Sequence, residues 1–416
     1  MRSAAPSVSE GKTMFRFRYS MAIVALTAPS AAFVACGSGS SAGQGPSGSD
    51  ASVQAPSEAG PDVATTVIEG GPDATAGGDD GALDTGAADA AGSFVGEVDA
   101  CGSDCTGVCT RGRCLVTLAS GQPIPQAIVV VGTTVYWADR GTVTNAGTIL
   151  NDGRIMKMPA VGGTPTTLAS GLQQAQSIAV DGVNVYWTSW KANGAVMSVP
   201  IDGGAPVTLA AVQNYPLGIG LLAGSVYFSN NGTLASGQTD GTIARVPVDG
   251  GTPVVVASGQ RIPFDLAVDS TGVYWTSLVR DGGIMQVPVD GGTPLTLAAQ
   301  DSPGNIAIDS TSVYWTSENE RAVMKVSKAG GAPVTLASNQ DAPAGLAVDS
   351  TAVYWVDYSV PDAGGGAVLK APLGGGSPVT LATGQPGPVY VAVDSTSVYW
   401  TNANLDGGTL MKLTPK

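Results

Sequence analysis

The residues best equipped for molecular recognition in this chain are aromatics set beside cations. Trp190 and Lys191 are adjacent, and Arg140, Tyr215, Arg261, Arg280, Arg321 and Tyr358 lie in other segments of loop composition. Indole and phenol rings offer flat, rigid contact area, and a cation adds attraction across a ring face, so this set suits a peptide or a glycan. The same side chains could equally pack against their own loop backbone. They are the candidate ligand-binding residues.

The chemistry of catalysis is poorly supplied. The chain has no His, which removes Ser-His-Asp and Cys-His nucleophiles, imidazole metal ligands and an imidazole pH switch. No Gly-x-x-x-x-Gly-Lys phosphate loop is present,. The recurring Asp269, Asp309, Asp349 and Asp394 stand in turn contexts, where the carboxylate bonds its own backbone,. No catalytic residue, cofactor or metal ligand is therefore assigned, and an enzyme is not expected. A net charge of −14 and a pI near 4.3 argue against nucleic acid or anionic lipid as a partner,.

What must position these residues is a repeat. Val-Tyr-Trp recurs at Trp137, Trp187, Trp275, Trp315, Trp355 and Trp400, with Phe228 as a degenerate member, and the aromatic positions fall 50, 41, 47, 40, 40 and 45 residues apart. A period in that range signals a repeat architecture. One unit contains four short runs rich in Val, Thr, Tyr and Trp: Gly345–Asp349, Val353–Asp357, Ala367–Pro372 and Pro378–Ala382,. Asp-Gly-Gly at 202–204, 249–251 and 290–292 marks a tight hairpin between the third and fourth runs,. Asp-Ser-Thr marks the first turn in several units. No helical period follows residue 115.

A four-stranded antiparallel unit repeated seven times predicts an all-β, seven-bladed β-propeller over residues 115–416,. Small residues on strand a (Ala179, Ala267, Ala307, Ala347, Ala392) suit the narrow end near the axis, and Trp on strand b suits the wide gap between sheets. A lone strand d, Val116–Ala119, precedes the first full unit, and the last unit stops after strand c at Leu410–Leu413. The orphan strand is expected to complete the seventh blade and leave no edge open. Recurring Gln122, Gln213, Gln260, Gln300, Gln340 and Gln385 in the d-to-a connections are read as hydrogen bonds between blades.

Tyr-Trp-Thr after an Ala-Val-Asp strand resembles the YWTD propellers of the low-density lipoprotein receptor type, over about seven-tenths of the chain. The fourth motif residue is Asp only at Asp139 and Asp357; elsewhere it is Ser189, Asn230, Ser277, Ser317 or Asn402. The resemblance implies a protein-interaction platform. That family usually has six blades, and its His-dependent release of ligand on acidification does not carry over to a chain without His.

The N-terminal third reads as an address and a tether. Residues 1–36 hold a basic stretch, Met14–Arg18, and a short apolar run ending Phe33-Val34-Ala35-Cys36, with Met14 the better start,. This resembles a bacterial lipoprotein signal, which implies lipidation of Cys36; the bland alternative is an ordinary signal peptide. Residues 37–98, almost wholly Gly, Ala, Ser, Asp, Pro and Thr, are expected to be a disordered linker,. Cys101, Cys105, Cys109 and Cys114, within 99–114, read as two disulfides in one of three pairings, with a four-thiolate zinc site as the rival.

Three functions follow as expectations. The first is an exported, monomeric lipoprotein of the bacterial outer membrane or cell surface, touching membrane only through its anchor and binding a protein on the variable b-to-c loops. The others are a carbohydrate-binding module and, last, a lactonase- or lyase-type propeller with a channel metal. A periplasmic or secreted protein is the alternative address.

Overall fold

The computed structural model describes residues 101, 105–110, 112–144, 147–358, 365–405 and 407–416. The signal segment, Cys36 and the linker lie outside the described residues.

Seven antiparallel sheets follow one another along the chain. Blade 1 consists of Pro125–Val131, Thr134–Asp139, Gly153–Pro159 and Thr166–Leu172, which are strands a, b, c and d. Six sheets run in that a-b-c-d order. The last blade takes its outer strand, Arg113–Gln122, from the start of the propeller and pairs it with strand c, Gly408–Thr414, through Cys114↔Thr414, Leu115↔Leu413 and Val116↔Lys412. The ring closes as the sequence requires. This sheet also gains a fifth strand, Val108–Thr110, outside the closing one.

The fifth strand explains the cysteines. Cys109 and Cys114 face each other across its register, and the bonds run Cys101–Cys109 and Cys105–Cys114. The zinc alternative is thereby excluded, and the two crosslinks mark a chain that matures in an oxidising, non-cytoplasmic compartment. Among the described residues no helix is long and apolar enough to cross a membrane.

The motif residues hold the ring together, each in a different way. All six motif Trp side chains are fully buried, and they form the apolar clusters between adjacent sheets, as Trp187 does between blades 1 and 2. The indole N–H then crosses to the preceding blade: Trp137, Trp315, Trp355 and Trp400 donate to Gln122, Gln300, Gln340 and Gln385 at 3.0–3.3 Å. Gln213 meets Phe228, which has no N–H, and accepts from Asn230 instead at 2.9 Å. Gln260 donates to the Ser258 carbonyl of its own strand, and Trp275 Nε1 has no partner.

The Tyr hydroxyl reaches back to the a-to-b turn. Tyr186, Tyr314, Tyr354 and Tyr399 donate to Asp181, Asp309, Asp349 and Asp394 at 2.7–2.9 Å, while the other oxygen of each Asp accepts backbone N–H groups of the turn. The repeated Asp is therefore a structural acceptor on both oxygens. Burial pushes the Tyr186 hydroxyl up to about 12, and the carboxylate beside it adds to the shift.

The motif Thr is the innermost stitch. Thr188 Oγ1 accepts from Ser177 N at 3.3 Å and donates to the Leu217 carbonyl of the next blade at 2.8 Å. Ser229 does the same between Gly218 and Phe264, at 2.9 Å each. Thr401 donates to Gln126 at 2.8 Å across the closing seam. Near the axis the backbones crowd: a Cβ on Gly345 would run into Val389 and Tyr390 of the next blade.

Replacing Thr188 by Val keeps the shape but strands a buried N–H and a buried carbonyl, and should lower unfolding free energy by about 1–3 kcal/mol in urea titrations. Trp400→Ala should cost more, about 3–5 kcal/mol, because it opens a cavity.

Candidate functional site

One end of the ring carries the d-to-a and b-to-c connections, and its construction starts from backbone strain. The residue just before each strand a is left-handed: Ile124, Gln174, Tyr215, Ile262, Ser302 and Ala342 have φ between 43° and 57°, and Gly387 has 69°. L-residues avoid this region, at about 1–2 kcal/mol each. The gain is a carbonyl turned toward strand b, which accepts the N–H of the first residue beyond it. Arg140, Trp190, Asn231, Leu278, Tyr358 and Ala403 are pinned this way by Ile124, Gln174, Tyr215, Ile262, Ala342 and Gly387. Strain that recurs at one rim of a scaffold is a pointer to function rather than proof of it.

Arg140, Trp190 and Tyr358, chosen from composition, thus occupy one equivalent position in blades 1, 2 and 6. The structure brings together the first two with Tyr215. The Trp190 and Tyr215 rings stand 5.3 Å apart at 54°, and the Arg140 guanidinium lies 5.8 Å from the Trp190 centroid. Lys191, beside them, donates to Gln173 Oε1. Tyr358 is across the ring, against Gly387. Arg280 and Arg321 are exposed on blades 4 and 5, as is Arg261 on the connection into blade 4, and Arg321 Nε donates to the Gln340 carbonyl at 2.9 Å. These four do not join the cluster.

Trp190 corrects one expectation. It is only 7% exposed, so neither ring face is open for a ligand to stack on. Around it, buried polar atoms stand without a protein partner: Trp190 Nε1, Gln174 Oε1, Asn230 Oδ1 and both amide atoms of Asn231. Asn231 is fully buried. Native interiors pair nearly all such groups, so a concentration of them on one sector of a loop face marks a place where water or a ligand completes the bonding.

Two buried acids flank the motif, and sequence reasoning passed over both as sites. Asp139 is completely buried; its Oδ2 accepts from Arg154 Nε at 3.0 Å and Nη2 at 2.7 Å, and its Oδ1 has no partner. Arg154 Nη2 also donates to Gln122, which ties this pair to the Trp137 bond. Burial pushes the Asp139 carboxyl up to about 7 against the pull of Arg154. Asp357 accepts from Asp341 N at 3.0 Å, and burial raises it to about 6. Asp139↔Arg154 are register partners on strands b and c, so the signal in the sequence was a cation on strand c in a unit whose motif ends in Asp.

No family model matches this chain, and no curated protein does. Solved structures do. A streptogramin B lyase aligns at TM-score 0.56 and 13% identity over 73% of this chain and 98% of that one. A puromycin hydrolase complexed with PGG aligns at 0.52 and 13% over 67% of this chain and 50% of that one. A nidogen/laminin complex aligns at 0.40 and 20% over 49% and 76%, which is too loose to carry an argument. At these identities the likeness establishes the propeller fold. It also corrects the expectation that the chain is no enzyme: a lyase aligned over nearly its whole length has this propeller fold, so the fold does not exclude catalysis.

Asp357 titrates above its unfolded value of about 3.9. Between about pH 4 and 6 the folded chain keeps a proton that the unfolded chain has lost, so this group makes stability fall as pH rises through that window. Asp357→Asn should remove about 1–3 kcal/mol of that fall, read as the difference between variant and wild-type urea unfolding at pH 4, 5, 6 and 7.

Proposed function

We propose that this protein is an exported, surface-anchored propeller that binds a protein partner over blades 1 to 3 of its loop face. The observation that carries this is the group of unpartnered donors and acceptors around Trp190, Gln174 and Asn231, set beside the Arg140 and Lys191 cations. Mixed donors and acceptors suit peptide backbone, which offers both at regular spacing. A sugar would ask for an open aromatic face, and Trp190 offers none,. The Cys36 thiol is the proposed lipid attachment, with residues 37–98 as the tether that holds the propeller clear of an outer membrane or cell surface.

A photo-crosslinking amino acid placed at Lys191 should capture a defined envelope protein. The same group at Asp202, which lies in a c-to-d turn at the other end of the ring, should not. Arg140→Ala should reduce the Lys191 crosslink several-fold while Arg321→Ala leaves it unchanged. Equal capture from both ends would count against the reading. Radiolabelled palmitate should be incorporated by the wild type and not by Cys36→Ser, and the variant should leave the membrane fraction.

A further inference from the structure

At the end of the ring opposite the loop face, one residue of each strand c stands beside the motif Tyr and faces the following blade. Lys157, Lys325 and Lys412 hold this position beside Tyr136, Tyr314 and Tyr399, and each donates to a carbonyl of the next blade at 2.6–2.9 Å. Arg245 donates to the Tyr227 hydroxyl at 3.3 Å and pairs with Asp290 at 3.3 Å. Lys370, the register partner of Tyr354, is the exception. Its ammonium lies 6.0 Å from the Tyr354 ring centroid and makes no hydrogen bond or ion pair with any described residue.

What differs is the blade that follows. The residue just beyond strand c fastens its N–H to the a-to-b turn of its own blade, as Leu373 does to Thr351 and Lys416 to Thr396. Leu373 presents an apolar side chain and a carbonyl, which Lys325 takes. Lys416 presents a second cation. Its Nζ is 5.5 Å from the same Tyr354 centroid and 2.6 Å from Asp349, which also accepts the Tyr354 hydroxyl. Lys328 does the same over Tyr274 of blade 4, but there the strand c residue is the neutral Gln286. Only between blades 6 and 7 do both positions carry a cation.

Arg113, on the closing strand, adds a third. Its guanidinium also makes no hydrogen bond or ion pair with a described residue. Burial holds the Lys370 ammonium below its ordinary value; Arg113 is the next cause, Asp349 opposes and Lys416 adds. All three cations are half-buried, so solvent reaches them. Asp349 matches Lys416, which leaves Lys370 and Arg113 as neighbouring unmatched charges in a chain of net charge −14. Like charges with no acceptor repel and are partly desolvated, a cost that an anion between them removes.

We propose that the seam between blades 6 and 7 is a binding site for a phosphoryl oxyanion, held by Lys370 and Arg113 with Lys416 alongside. Two unmatched cations suit a dianion, and a guanidinium fork beside a compact ammonium offers both directed and point-charge contact to its oxygens. A single carboxylate would leave one cation unmatched. The site lies away from Arg140 and Trp190 and does not rest on the protein-binding reading.

Titration calorimetry of the full-length protein at pH 8, sodium phosphate against sodium chloride at equal ionic strength, should show phosphate binding. Lys370→Met and Arg113→Gln should each weaken it about tenfold, as loss of a charged hydrogen bond does. Lys370→Arg should keep most of it, and Lys157→Met, the equivalent change in blade 1, should leave it unaltered. If Lys370→Met loses its near-ultraviolet circular dichroism, Arg113→Gln carries the comparison. Vesicles of phosphatidylglycerol, with Cys36→Ser protein so that no acyl chain anchors it, separate the sources: sedimentation that Lys370→Met abolishes identifies a lipid headgroup, and phosphate binding without sedimentation a soluble phosphate. No phosphate binding by the wild type, undiminished binding by folded Lys370→Met or Arg113→Gln, or an equal loss in Lys157→Met would each overturn the assignment.

Discussion

The structure depends on one pairing, that of strand Arg113–Gln122 with Gly408–Thr414. Seven wedge-shaped sheets arranged around an axis gain nothing from the last interface unless the ring is covalently continuous or sewn shut. Here the seam lies inside a sheet, so it is held by a full ladder of backbone bonds rather than by side-chain packing alone. The Cys101–Cys109 and Cys105–Cys114 crosslinks sit immediately outside that ladder. They tie down the strand whose departure would open the ring. Lys416 adds a second fastening, with Nζ 2.6 Å from Asp349 of blade 6 and bonded also to the Asp394 carbonyl of blade 7.

Within the closed ring, bonds between neighbouring blades occur at three radii, though not every blade has all three. Near the axis the motif hydroxyl spans two innermost strands, as Thr188 does from Ser177 to Leu217. In the middle the buried indole fills the gap and bonds a Gln of the preceding blade. Further toward the turns, Lys157, Lys325 and Lys412, which stand opposite the motif Tyr, donate to Ile201, Leu373 and Ala160 carbonyls of the following blade at 2.6–2.9 Å. Charge is used here as a hydrogen-bond donor for backbone oxygen, where a half-buried Lys keeps part of its solvation and covers apolar surface with its stem.

The fold was legible because its determinants repeat. A Trp at a 40-residue period, an Asp two residues before a Thr and a Gly pair in a hairpin each announce a local geometry, and seven copies leave little freedom in how to combine them. The lone strand d at the start and the missing one at the end leave one way to close the ring. The loop face was legible only in part. The neighbourhood of Trp190 and Tyr215 followed from where one blade ends and the next begins, but the burial of Trp190 and the approach of Arg140 from another blade to its ring did not. Asp265 was hidden for the opposite reason: it lies inside the repeat, at a strand position that other blades fill with Ala, Ser, Gly, Asn or Tyr, and only the structure shows its carboxyl held by N–H groups of Asn305 and Ile306 in the next blade. The disulfide pairing needed the fifth strand, whose three residues carry no pattern.

The exceptions to the motif are where stability and function meet. In blades 1 and 6 the hydroxyl stitch is absent, since Ala138 and Val356 replace Thr, and in these two blades alone the next residue is a buried Asp. Both acids lose one oxygen to burial without a partner. Each of these blades forgoes one axial bond to its neighbour and carries instead a carboxyl that burial raises to about 7 in Asp139 and about 6 in Asp357. Those two blades carry Arg140 and Tyr358 at the rim, directly after the acids. The positions where the repeat departs from its own rules are therefore the positions where loop-face side chains directly follow a buried, incompletely partnered carboxyl, as Arg140 follows Asp139 with its bonds to Arg154.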